Sequence, residues 1–311
     1  MFKHSKYFKR LMQSLAALVA LLLGGWSLPA LAALNVFATV PEWGALAREV
    51  GGERVNVFVA TTAMQDPHRI EAKPSLIARA RGSQLVLATG ADLEIGWLPL
   101  VLRESGNGAI QPGQPGYLEA TSVLRLLEVP TRLDRADGDV HPGGNPHVQL
   151  DPRNILKVAD ALGERLIRLD PAGEAVYKAR LADFTARWKA AMQRWEREAA
   201  PLRGVGVWVQ HRSFIYLDEW LGIRELGALE PKPGVEPGSA HLAGLLERQK
   251  ASPGRMILRP AYASPKSSDW MGEKAGIPVV VLPFTVGGSP EAKDLFGLFD
   301  DSLRRLLAAL K

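Results

Sequence analysis

The chain has 311 residues, 47% of them hydrophobic, with 38 Lys and Arg against 33 Asp and Glu and no cysteine. The missing cysteine excludes thiolate metal sites, thiol catalysis and a lipid-modified cysteine as a membrane tether. Lys3, Lys6, Lys9 and Arg10 precede any acid, so beyond residue 32 the balance is 34 bases against 33 acids, which gives no support to a nucleic-acid partner.

Residues 1–10 are basic, 11–28 nearly all apolar, and Ala30-Leu31-Ala32 supplies a small-residue exit. That order is the pattern of a secretory signal peptide, expected to leave a soluble chain from about Ala33. A membrane anchor calls for about 20 unbroken apolar residues, whereas Gly24, Gly25, Ser27 and Pro29 interrupt this run. The expected product is a free periplasmic protein.

Residues 34–40 read as a short strand, and Pro41 opens a helix carrying Trp43, Leu46 and Val50. A second strand follows over 54–60, a helix over 74–80 and a third strand over 84–88. Strands separated by helix-sized segments predict βαβ units and a mainly parallel sheet. The pattern changes over 171–200, where Tyr177, Leu181, Phe184, Trp188, Ala191 and Trp195 recur at steps of four and three. That is one apolar stripe along a helix of about seven turns. Lying between two similar halves, it is read as a stiff strut touching both, so that lobe motion is small. Apolar runs at 205–209, 256–258 and 278–282 then alternate again with helical segments such as 240–250. The predicted organisation is α/β, with a signal peptide over 1–32, a lobe over 33–170, a connecting helix over 171–202 and a second lobe over 203–311.

Of the six histidines, His4 leaves with the signal peptide. His68 follows the strand ending near Ala60, His147 stands just before the helix starting near Pro152, and His211 follows the strand 205–209. Ligands of open parallel sheets bind beyond the carboxyl ends of strands, so these three are placed to converge in a cleft between the halves. Pro67 and Pro146 directly precede two of them and stiffen the turns that present them. No pair has the spacing of the helical HExxH zinc motif. Imidazole suits zinc, copper and nickel, whereas manganese favours carboxylate oxygen.

Asp66-Pro67-His68 with Glu71, Pro74 and Ser75 resembles the first signature of the zinc and manganese binding proteins of ABC importers. Asn145-Pro146-His147-Val148-Gln149-Leu150-Asp151-Pro152 is similar to that family's DPHVWLDP segment. His211-Arg212-Ser213-Phe214-Ile215-Tyr216-Leu217 resembles its HDAFGYF segment, and Ser264-Pro265-Lys266 its SPK. The order and spacing agree from about Leu34 to the C-terminus. The resemblance implies two α/β lobes bridged by a rigid helix, a metal site at the lobe interface, and His68, His147 and His211 as ligands. It further implies Zn(II) as the transported ligand, an ABC-transporter membrane permease as partner, a periplasmic metal chaperone as a further one, and a monomer.

Two departures bear on the site. Family members often draw a fourth ligand from an acid after a late strand, but here 278–282 runs into Pro283-Phe284-Thr285, leaving a water or an unplaced carboxylate. The long His-rich loop of zinc-specific relatives is reduced to Asp134, Asp137, Asp139 and His141. His141 reads as a bystander beyond flexible Gly143-Gly144, whose loss keeps metal affinity within about tenfold, roughly 1.4 kcal/mol. His241 reads as a surface or capping residue, Met64 as packing, and Asp300-Asp301 as a solvated helix face. The alternatives are a manganese-specific binder, a surface adhesin, and a zinc hydrolase with an open fourth position, for which Asp66 and Glu71 are the nearby general bases.

Overall fold

The computed structural model describes residues 33–132 and 141–311. The signal peptide expected over 1–32 and the acidic stretch 134–139 lie outside the described residues.

The first half is built on four parallel strands, β1 (Leu34–Ala38), β2 (Val55–Val59), β3 (Leu85–Ala88) and β4 (Tyr117–Glu119), in the order β2-β1-β3-β4. Its helices are α1 (Pro41–Gly51), α2 (Pro74–Arg81), α3 (Leu98–Ser105) and α4 (Pro152–Leu169). Then comes α5 (Glu174–Glu198), of 25 residues. The second half has β5 (Gly206–Val209), β6 (Arg224–Ala228), β7 (Met256–Pro260) and β8 (Val279–Leu282), in the order β6-β5-β7-β8. Its helices are α6 (Ile215–Leu221), α7 (Ser239–Ala251), α8 (Lys266–Ala275) and α9 (Leu295–Ala308). The second strand order repeats the first, displaced by four strands.

Every residue of β3 and of β5 is buried, as expected of parallel strands covered on both faces. Proline begins α1, α2 and α4, where a fixed φ suits the helix and the missing N–H costs nothing. The Asp151 side chain caps α4 by accepting from Arg153 N. Such sharp starts bring the loop before each helix to a defined place.

The stripe on α5 is buried at Tyr177, Phe184, Trp188, Ala191 and Trp195, with Leu181 partly covered. At about 1.5 Å per residue the helix is roughly 37 Å long. It packs on α1 and α4 of the first half and on α9 of the second. The indole N–H of Trp188 donates to Pro152 O at 2.9 Å, and that of Trp195 to Asp300 Oδ1 at 2.6 Å. Arg187 pairs with Glu49 and Arg194 with Asp300, each at 2.7 Å. One hydrophobic cluster runs from β1 and α1 through this helix to β5 and α9. The helix therefore shares its core with both sheets.

Of the acid pair at 300–301, Asp300 is exposed as expected, whereas Asp301 is not. Asp300 receives the contacts from Arg194 and Trp195, and Asp301 is 2% exposed. Burial alone would raise the Asp301 carboxyl, but hydrogen bonds from Ser289, Arg305 and Arg304 outweigh it and hold the group below its ordinary range. Met64 is 61% exposed and does not pack. Among the described residues no helix is long and apolar enough to cross a membrane.

Candidate metal centre

The loops that leave the carboxyl ends of both sheets meet in one place. His68 lies beyond β2, with its backbone N–H and Nδ1 both within hydrogen-bond range of Asp66 Oδ1, at 3.0 and 2.8 Å. A carboxylate only accepts, so Nδ1 carries the hydrogen and Nε2 is turned the other way. Burial pushes Asp66 up, but its contacts with His68 and Arg69 win and hold it below the usual carboxylate range.

His211 follows β5 after Gln210, whose side-chain amide is locked to Ser267 at 2.8 Å. Its Nδ1 stands 2.7 Å from Glu230 Oε2, and the same oxygen accepts from Gly234 N at 2.8 Å. Glu230 lies beyond β6. Two histidines, one from each sheet, are thus oriented by a carboxylate in the same manner.

His147 is 1% exposed and precedes a short 3-10 turn at Val148–Leu150. Its backbone N–H donates to Asn145 Oδ1 at 3.0 Å. Asn145 in turn reaches across the halves, its Nδ2 donating to Arg212 O at 2.7 Å and its carbonyl accepting from Tyr216 Oη at 2.7 Å. The buried His147 Nε2 has no hydrogen-bond partner in the structure. Such an atom forfeits a stabilising contact unless something fills it. Burial first, then the neighbouring imidazoles, hold the His147 pKa well below its usual value.

The three rings face one another. The His68 and His147 centroids are 5.4 Å apart, those of His147 and His211 5.5 Å, and those of His68 and His211 6.1 Å, all near edge-on. Imidazoles bound through Nε2 to one tetrahedral zinc stand about 5 Å apart, from a Zn–N bond of about 2.1 Å plus roughly 1.1 Å to the ring centre. Among the described residues no group of three or more donors is already at the spacing that holds a metal. For these rings an approach of about 1 Å or less closes the gap.

His141, read from the sequence as a bystander, stands beside the others. Its ring centroid is 5.2 Å from that of His68 and 6.5 Å from that of His147. With His147 and His211 it lines a cleft of about 200 Å³ that Asn145 and Arg212 also border. His241, in the first turn of α7, takes no part in these ring contacts. The position after β8 where a carboxylate was sought holds Phe284, with φ at +68° and its ring 5.4 Å from that of His147. The orienting Glu230 was missed in the sequence, because the polar strand before it was not recognised.

Residues 36–309 match the family described as ZnuA, zinc-uptake complex component A, periplasmic. The chain is similar to the zinc-binding lipoprotein AdcA of Streptococcus pneumoniae, 23% identical over 253 residues that cover 80% of this chain and 49% of AdcA. It therefore spans about half the length of that relative. It is also similar to the high-affinity zinc uptake system protein ZnuA of Bacillus subtilis, 22% identical over 282 residues, 89% of this chain and 86% of that one. A crystal structure of ZnuA shares the fold with a TM-score of 0.76 at 22% identity, covering 90% of this chain and 100% of the other.

Proposed function

This chain belongs to the family of periplasmic zinc-uptake complex component A, and on that footing we propose that it captures one Zn(II) with His68, His147 and His211 and delivers it to the membrane permease of an ABC importer. The observation that carries the reading is the convergence of these three imidazoles from both halves, two of them held at Nδ1 by carboxylates and the third buried with an unpartnered Nε2. All three then offer lone pairs to one space, and neutral nitrogen donors favour zinc over manganese. Carboxylates close by are engaged elsewhere. Asp66 and Glu230 hold histidines, and Glu128 pairs with Arg212 and Asn145.

The same commitments weigh against turnover. A zinc hydrolase needs a general base beside the metal, whereas Asp66 is bound to His68 and Glu71 is 81% exposed and faces Lys73. Binding and release, with no chemical step, is the activity that this arrangement supports. The names of the relatives support a periplasmic location and a permease partner; a monomer and hand-over from a metal chaperone belong to the same proposal.

Metal analysis of the protein isolated from a periplasm tests the assignment. One zinc per chain is expected, competing out manganese added at equal concentration; equal manganese occupancy overturns the choice of metal.

A further inference from the structure

We infer that His141 is the fourth zinc ligand, so that the site is closed by four imidazoles with neither water nor a carboxylate. The inference rests on the three-histidine reading above and completes it. The Nε2 atoms of His68 and His141 lie 3.2 Å apart. Asp66 holds the hydrogen of His68 on Nδ1. The Nδ1 of His141 stands 3.0 Å from the carbonyl of Ala91, and a carbonyl only accepts, so the hydrogen of His141 is on Nδ1 as well. With both hydrogens on Nδ1, the Nε2 lone pairs of the two rings face each other across 3.2 Å. Two nitrogens on adjacent corners of a tetrahedron around zinc are separated by about 3.4 Å, given Zn–N bonds of about 2.1 Å. A cation between them turns a repulsive contact into two bonds.

The acceptor is itself aimed. Gly90, Ala91 and Asp92, directly after β3, have φ of +86°, +49° and +63°, and for Ala91 and Asp92 this left-handed conformation is costly. Glu94 fixes the turn by accepting from Thr89 N at 2.8 Å and Gly90 N at 3.1 Å. The strained turn presents the Ala91 carbonyl to His141, as strain stored at a binding site does. Beyond β8, Phe284 stands 5.4 Å from His147 with a phenyl ring that donates nothing to a metal, while His141 stands 5.2 Å from His68.

X-ray absorption at the zinc edge of the loaded wild-type protein tests this without any substitution. Scattering from four imidazoles is expected, falling to three in His141→Ala at saturating zinc. Titration against a competing chelator should show affinity lowered at least tenfold in that variant, while His241→Ala is unchanged. Three imidazoles plus an oxygen in the wild-type spectrum overturn the inference, as does a His141→Ala affinity within threefold of wild type. His147→Ala and His211→Ala separate the two readings: if they keep zinc, the three-histidine proposal fails, and if they lose it while His141→Ala does not, only the fourth ligand fails.

Discussion

At the scale of single residues, the proposed site is organised around two carboxylates that contact its histidines at Nδ1. Asp66 and Glu230 fix the ring orientation and hydrogen placement of His68 and His211, which would lower the freedom lost on binding the proposed metal. Glu42 has a different part. Buried near the start of α1, it accepts a short hydrogen bond from Thr285 of the second half. Desolvation outweighs that bond and raises its pKa to about 7. An acid whose folded pKa is raised contributes stability fully below its unfolded value near 4.5 and loses it as pH climbs through 7. Glu42→Gln is expected to gain on wild type by about 2 kcal/mol between pH 5 and pH 8, since a tenfold difference in proton affinity between the folded and unfolded chain is about 1.4 kcal/mol. Denaturant melts of both proteins at the two pH values measure the gain, and a pH-independent difference contradicts it.

At the scale of elements, α5 carries the connection between the halves. Trp188 is fully buried, its ring within 4.8 Å of Phe296, 5.1 Å of Trp195 and 5.2 Å of Phe184. Trp188→Ala is expected to cost about 3–5 kcal/mol. Because one cluster spans both sheets, far-UV and near-UV melts should still coincide in a single transition; two separated transitions would show that the halves fold apart. This helix was legible in the sequence because six large or apolar side chains kept its period without a glycine or proline. Two edge strands were not. Tyr117–Glu119 is too short to show alternation, and Arg224–Ala228 carries Arg224, Glu225 and Gly227 where an apolar run was sought. Missing β6 concealed Glu230, which that strand delivers to His211. His68, His147 and His211 were visible because each sits at a strand exit or helix entry, beside proline in two cases. The approach of His141 depends on a backbone turn 50 residues away, which no local pattern encodes. Asp301 was misread because adjacent acids suggest solvent, although helical geometry turns it towards Arg305 one turn on.

At the scale of the whole molecule, zinc binding is expected to stabilise without large closure. Free zinc at about a thousandfold over Kd should add roughly 4 kcal/mol to unfolding, provided the unfolded chain does not bind it. The gain should fade as pH drops through about 6.5, where free imidazole takes up a proton. Calorimetry with and without zinc measures the first effect. Small-angle scattering of the same samples should show no resolvable change in radius of gyration, and a clear contraction would mean that α5 bends.

The repeated strand order, with both sheets turning their carboxyl ends to the same gap and one stiff helix holding them at a set distance, makes the molecule a caliper. Its jaws are expected to adjust by side chains and not to swing shut. An ion is then measured against an opening that already exists, and a misfit cannot be rescued by a wider hinge angle. If the chain hands zinc on as proposed, the cargo is then expected to leave by local withdrawal of a ligand and not by a spreading of the lobes.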